Sequence, residues 1–189
     1  MLRYKYIGLI GLPGSGKDLA ARILHEELGF ICIRMSEELS TRLKEMGVNP
    51  TRDRLREFGT KLRKERGAHA VAEMVLERIR GMEKEVNPPG FVINGIRNVE
   101  EIDFFREKLG PLFLSLAIYA PRNLRYVRLL KRGRKGFDKR TYEEFLIEDR
   151  REVEIFNLGN AIILADKLIV NDRDRENLRY ALLRAILDL

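Results

Sequence analysis

At 189 residues, 44% of them hydrophobic, the chain has the length of one domain and enough apolar material for a substantial core. One cysteine excludes an intrachain disulfide framework, and no apolar run approaches the roughly 18 residues of a membrane-spanning helix. A formal charge of +7 points to anionic partners without choosing among nucleic acid, membrane surface and phosphorylated small molecules.

The first segment, Tyr4-Lys5-Tyr6-Ile7-Gly8-Leu9-Ile10, is short, apolar and partly β-branched, the pattern of a buried parallel strand. Lys17 then opens a helical pattern carrying Leu19, Ala20, Ile23, Leu24 and Leu28. Between them lies Gly11-Leu12-Pro13-Gly14-Ser15-Gly16-Lys17-Asp18, which fits the phosphate-binding loop GxxxxGK[ST] at every position but the last. Such a loop turns successive backbone amides toward phosphate oxygens, while the lysine and the helix N-terminus add positive potential. Asp18 stands where a hydroxyl usually binds Mg²⁺, and its carboxylate can hold the same hard cation directly or through water. The octet and Leu19 are therefore candidate ATP contacts.

Gly29 to Ile33 predicts a second strand, and the spacing predicts helices over Ser36 to Met46, Thr51 to Arg66 and Ala68 to Lys84. The single Cys32 falls in the second strand and is expected in the core. Asn87-Pro88-Pro89-Gly90 breaks the chain before Phe91-Val92-Ile93-Asn94, a buried strand. Asn98 caps a helix from Val99 to Lys108, Leu112 to Tyr119 is the longest apolar strand, and Pro121 starts a helix reaching Arg132. A highly charged segment, Lys131 to Arg140, reads as mobile and precedes a helix from Thr141 to Phe156. The chain returns through Leu158 to Ala165, a short strand Lys167 to Val170, and a C-terminal helix with Leu178, Leu182, Leu183, Ile186 and Leu187 on an apolar stripe. Five strands with helical crossovers predict a single three-layer α/β domain over residues 1–189. Its parallel sheet is covered on both faces, and ligands bind at the carboxyl ends of the strands.

A transferase needs a second site that holds the acceptor in line with the donor phosphate. Arg52, Arg56 and Arg63 fall near one helical face, with Gly59 permitting close approach; the pattern reads either as a bidentate clamp for an acceptor phosphate or as a solvated charged face. Asn94-Gly95-Ile96-Arg97 leaves the carboxyl end of a buried strand, which makes Arg97 the foremost candidate for the acceptor phosphate. With a phosphate loop in place, no Trp, and Phe and Tyr mostly at core spacing, a small phosphorylated substrate is favoured over nucleic acid.

Five motifs in order, GLPGSGKD, TRDRLREFGTKLR, VINGIRNVEE, RLLKRGRK followed by EDRRE, and LADKLIVND, span nearly the whole chain. In this series the chain resembles the P-loop nucleoside-monophosphate kinase group, in particular the archaeal predicted nucleotide kinases related to dephospho-coenzyme A kinase and adenylate kinase. The resemblance implies a P-loop NTPase fold with a helical acceptor-binding region at about 34–88 and a basic lid at about 132–141. It implies that Arg97 and Gly95, with Ser36, Arg52 and Arg63, meet the acceptor. It further implies that Arg128 lies over the adenine with Asn171 at its border, that Arg132 reaches the donor phosphates, and that Arg150 or Arg151 closes onto the transferring phosphoryl beside Lys17. The implied activity is phosphoryl transfer from MgATP, with a nucleoside monophosphate as first acceptor and a dephospho-coenzyme A type hydroxyl as the alternative. A non-kinase ATPase with a regulatory or nucleic-acid role is the rival from another class.

Two departures from the group concern the metal: Asp18 replaces Ser or Thr, and Asn94 replaces the acid that relatives place at the end of the third strand. Asp18 is expected to supply the Mg²⁺ carboxylate, with Asn94 hydrogen-bonding to a metal-bound water. A third departure is Ser36-Glu37-Glu38-Leu39-Ser40, which lacks the relatives' arginine; Arg34 or Arg42 is the candidate substitute. His25 and His69 are expected to be structural. The absence of a signal peptide and of a membrane span leads to an expected cytoplasmic location with no membrane partner, as a monomer or homodimer. The high charged fraction, 34%, and the absence of Gln lean toward a thermophilic source.

Overall fold

A computed structural model describes residues 2–133 and 141–187. The strands are β1 (Tyr6–Ile10), β2 (Ile31–Arg34), β3 (Phe91–Ile96), β4 (Phe113–Tyr119) and β5 (Lys167–Val170). They form one parallel sheet in the order β2-β3-β1-β4-β5, so β1 is central and its phosphate loop leaves the middle of the carboxyl edge. Alternation along β1 feeds two cores. Ile7 and Leu9 point toward α1 (Lys17–Leu28) and the C-terminal α9 (Arg175–Leu187), meeting Ile23, Leu24, Leu178 and Leu182. Tyr6 and Ile10 point toward α2 (Met35–Glu45), α4 (Ala70–Glu85), α5 (Val99–Leu109) and α8 (Leu158–Ile163), meeting Leu39, Val75, Ile79, Phe105 and Leu158. The result is the three-layer α/β domain that the strand and helix order predicts.

Local chemistry sets the boundaries that matter for the site. Gly29 ends α1 in the left-handed conformation, with its N–H on the His25 carbonyl at 2.9 Å and the next N–H, of Phe30, on the Leu24 carbonyl at 3.4 Å. This cap uses up Gly29 and Phe30, so β2 begins two residues later than the apolar run suggests. Helix α3 (Arg52–Arg66) starts at Thr51, whose hydroxyl accepts the Arg54 N–H. Asn98 caps α5 by accepting the Glu101 N–H at 2.7 Å. Thr141 and Glu144 form a reciprocal capping box at the start of α7 (Tyr142–Phe156). Helix α6 (Arg122–Arg132) precedes the basic segment, most of which, residues 134–140, lies outside the described residues. Among the described residues, no helix is long and apolar enough to cross a membrane.

Candidate active site

The site is built first on the loop between β1 and α1. Gly16 caps α1 at φ 106° without a side-chain bond, so no side chain satisfies the first-turn amides of the helix. A Cβ there would lie 2.1 Å from Asn171 Nδ2, so glycine is required by both the backbone and its neighbour. The Asn171 amide donates to the Ser15 carbonyl at 2.8 Å, and Arg128 Nη1 donates to the Asn171 carbonyl at 3.0 Å, tying the loop to the end of β5 and to α6. The Lys17 ammonium donates to the Gly11 and Leu12 carbonyls at 2.6 and 3.2 Å. Burial lowers its pKa to about 8, against the pull of neighbouring Asp18. The Ser15 hydroxyl is buried and makes no hydrogen bond. A cavity of about 430 Å³ opens over the loop between Pro13, Lys17, Leu19, Arg128, Asn171 and Arg175. A helix N-terminus without a side-chain cap, a lysine resting on carbonyls it can exchange for phosphate oxygens, and an orphaned hydroxyl together fit a nucleotide polyphosphate.

Asp18 sits at the mouth of this cavity. Its Oδ1 accepts from Asn94 Nδ2 at 2.8 Å, and its Oδ2 lies 3.6 Å from Arg132 Nη1. Burial opposes ionisation, yet the Asn94 bond and the Lys17, Arg34 and Arg132 charges together hold the carboxyl below its ordinary range. Asn94 reaches this point by the regular alternation of β3: Phe91 and Ile93 face one core and Val92 the core under α1 and α9, so Asn94 faces α1 as well. The strand bulges only after it, where Leu9 pairs with Asn94 and Ile10 with Ile96, skipping Gly95, whose φ is 102°. The amide thus orients the carboxylate itself, where the sequence suggested a bond to metal-bound water. One ionised carboxylate beside the phosphate loop fits Mg²⁺, which keeps several waters and completes its shell on phosphate oxygens. No group of three or more His, Cys, Asp or Glu suited to a metal occurs among the described residues.

A second cavity is an arginine cage. Arg52, Arg56, Arg63 and Arg97 line a cavity of about 200 Å³ with Ser36 and Phe156. Gly59 lets α3 approach α2: a Cβ would stand 3.0 Å from Leu39. Arg63 Nε donates to Glu101 at 3.1 Å, and the same carboxylate accepts the Arg97 backbone N–H at 2.8 Å. The Arg97 guanidinium lies 4.5 Å over the Phe156 ring and donates to Glu152 at 3.4 Å. A smaller cavity of about 80 Å³ lies between the two, bordered by Lys17 and Asn94 near the phosphate loop and by Arg97 and Glu152 of the arginine cage. Arg132 borders both larger cavities.

Other candidates lie elsewhere. Arg150 and Arg151 are exposed on the outer side of α7, paired with Glu154 and Glu148, and border none of these three cavities. The buried face of α7 is Phe145, Asp149, Glu152 and Phe156, whose spacing of four, three and four residues could have been read from the sequence. Sequence reasoning therefore missed Glu152, and also Asp149, which pairs inside the fold with Arg125; that arginine reaches the Pro13 carbonyl at 3.3 Å. Arg34 approaches Asp18, whereas Arg42 pairs with Glu45. Cys32 is half-buried rather than fully enclosed, and burial raises its thiol pKa to about 11. His25 bonds the Phe30 carbonyl, and His69 stacks on Phe104.

A family model described as an AAA domain matches residues 10–145. A UPF0200 protein of Methanothermobacter thermautotrophicus is 37% identical over 88% of this chain and 80% of its own length. Among solved structures, shikimate kinase from Bacteroides thetaiotaomicron superposes with a TM-score of 0.62 at 15% identity, covering 97% of this chain and 98% of that one. Dephospho-CoA kinase from Campylobacter jejuni superposes with a TM-score of 0.57 at 18% identity, covering 98% and 96%. The chain shares the P-loop kinase fold of these structures, and by sequence it belongs to the AAA-domain family and to the UPF0200 family.

Proposed function

We propose that this protein transfers the γ-phosphoryl of MgATP to a small phosphorylated acceptor, with a nucleoside monophosphate as the first choice. One observation carries the reading: a donor cavity over the phosphate loop and an arginine-lined cavity meet at a narrow junction bordered by Lys17, Asn94, Arg97 and Glu152. Phosphoryl transfer asks little covalent help from the protein; it needs charge neutralisation and in-line placement of two anionic substrates. In this reading the loop amides and Lys17 hold the β- and γ-phosphates, and Arg128 and Asn171 border the nucleoside. Arg97, Arg52 and Arg63, with Ser36 and Gly95 at the rim, hold the acceptor. Arg132, shared by both cavities, meets the charge that develops between them. Asp18, oriented by Asn94, is the protein ligand for Mg²⁺, which when bound neutralises phosphate oxygens at the reacting end of ATP. Arg150 and Arg151 contribute only if α7 turns toward the cavities on substrate binding.

The arginine cage also bears on the nucleic-acid alternative. Its aromatic partner, Phe156, is buried with guanidinium groups already over its ring, so it offers no free face for a nucleobase. The test is a panel of nucleoside monophosphates, deoxynucleotides and dephospho-coenzyme A, each incubated with MgATP and read for phosphorylated product. One acceptor class should be converted well above the rest. Conversion confined to dephospho-coenzyme A would move the assignment to a hydroxyl kinase. ADP release at one slow rate with every acceptor, accelerated by RNA or DNA, would refute transfer.

A further inference from the structure

The acceptor cage already contains an anion of its own. Glu152, whose side chain is 6% exposed, accepts from Arg52 at 3.1 Å and Arg56 at 3.3 Å through Oε1, and from Arg97 at 3.4 Å through Oε2. It borders both the arginine-lined cavity and the junction beside Lys17. Its neighbour on the buried face of α7, Asp149, has a structural partner in Arg125 within the fold. Glu152 instead spends its bonds on the guanidinium groups that the acceptor reading needs. Burial disfavours its charge, but Arg97, Arg52 and Arg56 more than offset this and keep the carboxyl below its ordinary range. A carboxylate whose ionised form is favoured is a weaker base than usual, which argues against a role in taking a proton from an acceptor hydroxyl.

We infer that Glu152 is a resident stand-in for the acceptor's phosphate: it occupies the guanidinium site that a dianionic phosphate monoester takes on binding, and so selects acceptors by charge. The inference rests on reading this cavity as the acceptor site. A carboxylate offers two oxygens and one charge, whereas a monoester phosphate offers three terminal oxygens and up to two charges to the same planar donors. With Glu152 in place, Arg52, Arg56, Arg63 and Arg97 are paired with Asp53, Glu101, Glu148 and Glu152. When Glu152 withdraws, Arg97 loses this partner and Arg52 and Arg56 each lose one of theirs, and a dianion brings these groups one more negative charge than the carboxylate it replaces. A tethered competitor acts at high effective concentration, so a phosphodiester or carboxylate bearing one charge gains nothing over the side chain it must displace.

The test uses the full chain and two probes, methyl phosphate as dianion and dimethyl phosphate as monoanion, titrated calorimetrically with ADP filling the phosphate loop. Glu152→Gln should bind methyl phosphate at least about tenfold more tightly than the native protein, and dimethyl phosphate should be measurable only on the variant. Glu152→Asp, which keeps the charge on a shorter arm, should fall between. Should the unpaired guanidinium groups lower the melting temperature of Glu152→Gln, methyl phosphate must restore it while moving the native protein much less. Equal or weaker binding by Glu152→Gln, or no restoration, overturns the inference, because Glu152 then merely orients the arginines. Arg97→Ala in the Glu152→Gln background should abolish the gain; a gain that survives places the anion elsewhere and also overturns it. If the native protein binds methyl phosphate through Arg97 but Glu152→Gln shows no gain, only the stand-in fails and the acceptor reading stands. If neither protein binds it, both fail.

Discussion

If the proposed reading holds, replacing Arg97 by Ala should separate acceptor binding from donor binding. The guanidinium borders the arginine-lined cavity and the junction, but not the cavity over the phosphate loop. Its backbone N–H stays on Glu101, so the turn after β3 keeps its anchor. Glu152 keeps Arg52 and Arg56, and the protein loses one cation over the Phe156 ring, a cost to folding of about 1–2 kcal/mol. A hydrogen bond from a charged donor contributes about 1.5–3 kcal/mol, so the loss of one phosphate contact should raise the acceptor KM by roughly 10- to 150-fold. The Kd for ATP should change by less than about twofold. Steady-state kinetics with the acceptor varied, together with calorimetry of ATP binding, read both quantities. A folded Arg97→Ala protein with the native acceptor KM would refute the reasoning.

Gly16→Ala forces a Cβ into contact with Asn171 at a backbone angle that disfavours side chains; it should lower the melting temperature and abolish ATP binding, and native-like ATP affinity would contradict the loop geometry. Lys17 has a pKa of about 8 because burial favours its neutral form, so rising pH removes charge from the empty loop. The Kd for ATP should then increase by up to about tenfold per pH unit above 8, with proton uptake on binding near pH 9; a flat profile without uptake would count against it. Asp149→Ala strands buried Arg125, which braces Pro13 in the loop, and should cost about 3–5 kcal/mol in denaturant unfolding; a loss below about 1 kcal/mol would show that the pair is not structural. Asp18→Asn should raise the Mg²⁺ concentration needed for half-maximal transfer, and an unchanged Mg²⁺ dependence would remove Asp18 from the metal site.

The fold was legible because its signals are local and mutually consistent. Buried strands, the lysine-containing loop, the Asn98 cap and the Pro-rich breaker before Phe91 each point to the same alternation of strand and helix. The phosphate loop was legible for the same reason, since it is contiguous in sequence. The arginine cage is assembled from α3, the turn after β3 and α7, so its pairings have no sequence spacing to announce them. Arg63 meets Glu101 across 38 residues, and Arg52 meets Glu152 across 100. The run of arginines at 150 and 151 drew the reading to charge, although the periodicity of Phe145, Asp149, Glu152 and Phe156 identified the inward face. The bulge at Gly95, which lies between Asn94 and Arg97, depends on register with β1 and could be seen only once the strands were paired.

Tracing the fate of the γ-phosphate is the most direct test of a two-site kinase. With ATP labelled at that position, Mg²⁺ and the best acceptor of the panel, the account predicts that label appears on the acceptor in step with ADP, and that Lys17→Ala abolishes both. Label released only as inorganic phosphate, at a rate that no acceptor changes, would contradict it.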